Sequence, residues 1–201
     1  MSDLRSPLEG HLKPGRLGKP DGEAGVTLAE RPVASLVQVA AWPDSAASVA
    51  QRLASLVGSS LALGRPGTTA RGEDGIIMTL APGRFLVESK AAGFEAIVAA
   101  AIPAEAAAVT DLTHGRSCVT IEGPAATWVL AKGMGLDFEL SAFPVGRVAL
   151  GAIHEMGVTL RRDSEQAFAL YVFRSFALSS FEWLTDAALE TGCRLEANPG
   201  K

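Results

Sequence analysis

Thr110–Ala126 reads TDLTHGRSCVTIEGPAA. Its middle, SCVTIE, is a short β-branched apolar run that suits a strand. Gly123-Pro124 behind it starts a helix, since proline is tolerated at the first helical position. The stretch is therefore a strand entered through a polar bend and left through a helix start.

The same succession extends in both directions. Downstream, Ala125, Trp128 and Val129 share one helical face and Gly133 closes the helix. GRVALGAIHEMGVTLRRD and AFALYVF then form paired strands around the polar turn Asp163–Gln166, and SSFEWLTDAALE gives a helix with Phe181, Leu184 and Ala188 inward, ended by Gly192. Upstream, VASLVQVA (Val33–Ala40) suits a strand. Pro43-Asp44-Ser45 offers a helix start, and Val49, Leu53, Leu56 and Val57 make one apolar face that Gly58 stops. GIIMTL and RFLVES flank Ala81-Pro82-Gly83 as a hairpin. A second helix carries Phe94, Ile97, Val98, Ala101 and Ile102 inward and ends at Pro103.

The chain thus reads strand, helix, strand, strand, helix, twice over, in halves of about 30–103 and 108–192 within a fold spanning 26–195. Hairpins with helices returning to the sheet predict an α+β fold with antiparallel sheets. Residues 1–25 hold three prolines and five glycines between Ser6 and Gly25 without apolar period, and are expected to form an extended arm or disordered leader with no core of its own.

Asp111, His114, Arg116, Ser117 and Cys118 invite a test for nucleophilic chemistry, which needs a thiol or hydroxyl within reach of an oriented base. Ser117 and Cys118 are consecutive on a strand and point to opposite faces, so only one of them can meet His114. Cys118 precedes Val119 and Ile121 and reads as a buried, inert thiol. His114-Gly115 reads as a bend in which Gly115 allows a positive φ and Asp111 or Thr113 can bond the backbone. His154 is placed mid-strand beside Glu155, a carboxylate that could make it a base, and reads first as a packing histidine. Arg161-Arg162 reads as the solvated end of a strand, one residue to each face. Trp128 and Trp183 read first as core, although large aromatics recur at interface hot spots. No catalytic, cofactor-binding or metal-binding residue is expected in the chain, and the residues expected to face partners are Arg147, Arg161, Arg174 and Trp183.

Composition narrows the classes further. The 201 residues carry a net charge of −4 with scattered Lys and Arg, against the basic face that nucleic acid requires. No apolar run is long enough to cross a bilayer, and no apolar segment follows the basic start, so a soluble, cytoplasmic protein without a secretory signal is expected. Two cysteines without CxxC or His spacing argue against a disulfide framework or a zinc site. No glycine-rich nucleotide loop follows a strand.

Taken with FPVGRVALGAIHEMGVTLRRD, ALYVFRSFA and FEWL, the opening stretch resembles the gamma subunit family of heterotetrameric bacterial sarcosine oxidase across about residues 105–190. LAERPVASLVQV and LAPGRFLVES extend the likeness into the first half. That family is similar in turn to the folate-binding domain of aminomethyltransferase, the T-protein of glycine cleavage. Asp111-Leu112-Thr113-His114 matches its D-x-[ST]-H segment, and Gly123-Pro124 its helix start. Where relatives there carry a Gly-Gly-x-x-Asp-Asp-like segment serving folate, this chain has Gly157-Val158-Thr159-Leu160-Arg161-Arg162. An arginine cannot stand in for that carboxylate, because it stays protonated and accepts no hydrogen bond.

The resemblance implies an accessory chain without a catalytic site, partnered by alpha, beta and delta subunits. Those subunits would carry FAD, FMN, NAD and tetrahydrofolate. The implied complex demethylates sarcosine oxidatively to glycine, with formaldehyde or 5,10-methylenetetrahydrofolate and hydrogen peroxide as co-products. The alternative is a stand-alone folate-binding or aminomethyl-transferring protein.

Overall fold

A computed structural model of the chain describes residues 5–19, 21–60 and 65–197. In chain order, β1 (Gly15–Leu17), β2 (Val26–Arg31) and β3 (Ser35–Ala41) lead into α1 (Ala46–Leu56). β4 (Thr68–Arg71), β5 (Gly75–Ala81), β6 (Arg84–Ser89), α2 (Phe94–Ala101) and β7 (Ala107–Asp111) follow. β8 (Arg116–Glu122), α3 (Ala126–Ala131), β9 (Val148–Ile153), β10 (Met156–Arg162), β11 (Ala167–Phe173), α4 (Ala177–Ala188) and β12 (Cys193–Glu196) complete the chain. These elements divide between two compact units, one of Val33–Gly115 with Gly146–Ala149 and one of Met1–Pro32, Arg116–Val145 and Leu150–Lys201 in their described residues.

The unit around Val33–Gly115 is a five-stranded sheet in the order β4-β5-β6-β3-β7. Strand alternation sends Val37, Val39, Ile77, Phe85 and Val87 to one face, where they meet Val49, Leu53 and Val57 of the α1 segment and Phe94 and Val98 of α2. The i, i+4, i+8 spacing on α1 is what makes that stripe, and each such fully buried side chain contributes roughly 1.5–3 kcal/mol. Gly83 makes the hairpin turn at φ +66°. Ile97, expected inward, is 47% exposed, because Phe94, Val98 and Ile102 already fill the face of α2 that meets the sheet.

The other unit is a seven-stranded sheet in the order β1-β12-β2-β8-β11-β10-β9. β8 lies near its centre, antiparallel to β2 and β11. Antiparallel pairing holds as the sequence predicts, with β12 and β2 a parallel exception. The neighbour order β9-β10-β11-β8 repeats β4-β5-β6-β3, so a repeated succession of elements has become a repeated strand order.

The expectation of an arm without a core is corrected. Leu8 is 1% exposed, Ser6 Oγ donates to Glu30, and β1 pairs with β12 through Gly15↔Leu195 and Leu17↔Cys193. One leucine and three residues of strand suffice, because they join a sheet edge that the rest of the chain has built. His154 is not mid-strand. It occupies the two-residue turn between β9 and β10 at φ +54°, where its N–H donates to the Gly133 carbonyl at 3.1 Å. The positive φ that Gly115 allows is not used; in this stretch Gly123 takes one, at +136°.

Candidate functional site

The polar bend is built from backbone bonds. Asp111 Oδ1 accepts from the Thr113 N–H at 2.8 Å. Thr113 Oγ1 accepts from the Leu36 N–H at 3.0 Å, while the Leu112 N–H donates to the Leu36 carbonyl at 2.8 Å. Asp111 and Thr113 are thereby spent on fastening the turn to β3, and His114 is exposed at its tip. Ser117 and Cys118 lie on opposite faces of β8 at 6% and 1% exposure. The Cys118 thiol is 3.2 Å from Arg31 Nη2, which also donates to the Tyr171 hydroxyl at 3.1 Å. Cys193 is buried too, and burial pushes its thiol up to about 11. Among the described residues no group of three or more His, Cys, Asp and Glu is placed to hold a metal ion.

Arg161 and Arg162, expected at a solvated strand end, are each 3% exposed. Alternation does send them to opposite faces of β10, and each guanidinium finds a different set of acceptors there. Arg161 holds Asp163 through Nε–Oδ1 at 2.7 Å and Nη2–Oδ2 at 2.9 Å, and donates to the Tyr171 hydroxyl at 2.6 Å. Arg162 donates to four backbone carbonyls: Phe138 at 2.8 Å, Phe143 at 2.7 Å, Glu165 at 2.5 Å and Ser164 at 3.2 Å. Its guanidinium carbon also lies 5.0 Å from the Phe168 ring centroid. Where the resemblance would place a folate-serving carboxylate, the structure has two buried cations. The nearest carboxylate in sequence, Asp163, has both oxygens on Arg161. This donor set does not fit the folate-serving role.

Arg161 is likewise removed from the partner-facing residues by its burial. Arg147 is half-buried beside Gly67, with its Nε unbonded among the described residues. Arg174 is half-buried and donates to the Arg5 carbonyl. The Trp183 ring lies against Gly133, where an added Cβ would fall 2.4 Å from it.

Trp128, read as core, is 60% exposed. Its indole N–H donates to Glu190 at 2.5 Å, and Lys132 Nζ meets the same carboxylate at 2.7 Å. Hydrogen bonds from Lys132 and then Trp128 hold the Glu190 carboxyl below the usual range. The i, i+4 spacing of Trp128 and Lys132 puts both on the outer side of α3, and Val129 and Leu130 take the buried side.

Sequence reasoning missed a cavity of about 280 Å³ beside α4, lined by His11, Leu17, Leu178, Phe181, Glu182, Thr185, Asp186, Leu189 and Leu195. Its one legible trace is the like-charged pair Glu182 and Asp186 at i, i+4, which costs a helix a few tenths of a kcal/mol unless something else answers it.

The profile described as "Sarcosine oxidase, gamma subunit family" matches residues 38–190. The chain belongs to that family. It is 31% identical over 187 residues to the sarcosine oxidase subunit gamma of Arthrobacter sp, covering 92% of this chain and 90% of that protein. It is also 31% identical over 171 residues to the subunit gamma of Corynebacterium sp. (strain U-96), covering 84% and 82%. A chain of the heterotetrameric sarcosine oxidase from Corynebacterium sp. U-96, solved in complex with pyrrole 2-carboxylate, superposes with a TM-score of 0.77 at 27% identity, over 92% of this chain and 96% of that one. The aminomethyltransferase T of the glycine cleavage system from Bartonella henselae superposes with a TM-score of 0.64 at 15% identity, over 98% of this chain and 60% of that one. That likeness shows a shared fold.

Proposed function

We propose that this chain is the gamma subunit of a heterotetrameric sarcosine oxidase, an accessory chain that does no chemistry of its own. The observation that carries the reading is likeness over 92% of the chain, in sequence to a sarcosine oxidase subunit gamma and in structure to a chain of a heterotetrameric sarcosine oxidase. Alpha, beta and delta subunits are the proposed partners, and FAD, FMN, NAD and tetrahydrofolate are assigned to them. The proposed reaction of the complex consumes sarcosine, oxygen and water and yields glycine, formaldehyde and hydrogen peroxide. With tetrahydrofolate present, the one-carbon unit leaves as 5,10-methylenetetrahydrofolate instead. A cytoplasmic location is part of the proposal; no described helix is long and apolar enough to cross a membrane.

The test is co-expression with the larger subunits of the same organism, followed by size exclusion. The chain is expected in a complex far above its own 20.8 kDa, with flavin absorbance and sarcosine-dependent peroxide formation in the same fractions. A free chain eluting apart from an active flavoprotein would overturn the reading.

The accessory role has its own consequence for the opening stretch. Cys118→Ala and His114→Ala are each expected to leave turnover per flavin within a few-fold of the unaltered complex. Cys118→Ala costs about 1 kcal/mol of chain stability, as removal of a small buried group does. Members of a catalytic unit fail individually by orders of magnitude. A thousandfold loss in steady-state sarcosine oxidation, with assembly intact, would place chemistry in this chain after all.

A further inference from the structure

The helical layer over the seven-stranded sheet stops short of its edge. α4 packs on β11, while β12 and β1 lie beyond β8 and β2 at the sheet's end. The cavity of about 280 Å³ opens in the space between. Its floor is apolar: Phe181 and Leu195 are 4% and 6% exposed, and Leu17 and Leu189 remain open at 40% and 38%. Its rim is acidic. Glu182 and Asp186 project from α4 one turn apart, both exposed, and neither forms a salt bridge among the described residues. Beside the cavity, the Lys19 N–H donates to the Leu189 carbonyl at 3.1 Å and the Gly25 N–H to the Thr191 carbonyl at 3.0 Å.

We infer that this groove is where the chain receives a segment of a larger oxidase subunit, one that carries aliphatic side chains flanked by lysine or arginine. The inference rests on the subunit reading above and names the surface that reading needs. Charge complementarity selects the occupant. Two adjacent carboxylates that form no salt bridge among the described residues repel one another, with His11 the one titratable base in the lining, and a basic flank relieves that repulsion while aliphatic side chains fill the floor. Apolar residues at the centre and charges at the rim are the anatomy of a protein interface. The volume suits a few side chains, so the groove is an anchoring pocket within a larger contact.

The experiment uses the full chain and the co-expressed larger subunits, with binding measured on the immobilised gamma chain at several salt concentrations. The double variant Glu182→Lys/Asp186→Lys is expected to weaken capture by about tenfold or more and to flatten its salt dependence. Leu17→Asp is expected to weaken capture to a similar degree through the apolar floor. Glu182 and Asp186 are exposed, so thermal unfolding of the isolated double variant should stay unchanged. Should the lysine variant misfold, Glu182→Gln/Asp186→Asn must still flatten the salt dependence. Capture of these variants at unaltered affinity overturns the inference and leaves the subunit reading standing. Failure of the unaltered chain to bind the larger subunits overturns both. A self-associated gamma chain that the double variant dissociates assigns the groove to a second copy and overturns the inference too.

Discussion

Arg162→Met is expected to remove roughly 3 kcal/mol of stability or more, because it takes a charged donor from four carbonyls at once and a buried acceptor left unmade costs about 1–3 kcal/mol. The arginine is 3% exposed, and its guanidinium donates to the carbonyls of Phe138, Phe143, Ser164 and Glu165. Methionine preserves the apolar stem and leaves every one of those carbonyls without that donor. Phe138 and Phe143 lie in the segment between α3 and β9, and Phe138 stacks edge-on against Phe143 and Phe168 at 6.4 and 5.8 Å. The guanidinium therefore fastens a segment that has no strand or helix of its own to the turn that joins β10 to β11. Arg162→Lys separates charge from geometry. An ammonium keeps the charge but cannot span acceptors spread around a planar fork, so an intermediate loss is expected. Urea unfolding monitored by tryptophan fluorescence measures both variants. A methionine variant within about 1 kcal/mol of the unaltered chain would mean that water satisfies those carbonyls as well as the arginine does.

The same residue shows where sequence reading reaches its limit. Arg161-Arg162 before Asp163 looks like a solvated strand end because charged residues are seldom buried unpaired. The acceptors that bury Arg162 come from Phe138 and Phe143, about twenty residues away in a stretch without periodicity, so no local pattern announces them. Elements whose pattern is local were legible. The β5–β6 hairpin follows from two apolar runs around Pro82-Gly83, and α1 follows from Val49, Leu53 and Val57. β1 and β12 were not legible, since strands of three and four residues carry too little alternation to read. β2 was hidden by Glu30, which takes an inward position at 8% exposure and breaks the apolar alternation begun by Val26 and Leu28.

The candidate surface was partly visible in the same sense. Glu182 and Asp186 stand at i, i+4 in the sequence, but their meaning depends on β1 and β12 lying beside α4. That placement is a consequence of topology. Arg161 was expected to face a partner, and that expectation gave way once Asp163 and Tyr171 were seen to hold it. Trp128 was misread for a related reason: the face that Val129 implies for α3 is real, but Trp128 sits on its outer shoulder, pinned to Glu190 and Lys132.

Gly123→Ala is the second substitution with a large expected effect, and it returns to the stretch that organises the fold. Gly123 has φ +136°, a conformation that costs an L-residue on the order of 1–3 kcal/mol. A Cβ there would fall 2.4 Å from the Gly25 carbonyl oxygen and 3.0 Å from Val26 Cα. The neighbour has little room to yield. The Gly25 carbonyl accepts from the Ala125 N–H at 3.0 Å, and the Gly25 N–H donates to Thr191 at 3.0 Å. A Cβ built on Gly25 would itself meet the Thr191 side chain at 2.7 Å, so the backbone there is already in contact. Retreat of Gly25 loosens the entry of β2 beside β8 and the first turn of α3 together. Overpacking of this kind adds about 1–3 kcal/mol, for a combined loss of roughly 3 kcal/mol or more when added to the conformational cost. Gly135→Ala is the matched control, because a Cβ there meets nothing within 4 Å and its φ lies outside the left-handed region. It is expected to be neutral, or stabilising by up to about 1 kcal/mol through the unfolded chain. If both variants unfold at the same urea concentration, the close approach at Gly123 is not what holds the strand entry. If only Gly123→Ala falls, the Gly-Pro step is needed because two backbones meet there, independently of any chemistry on its polar neighbours.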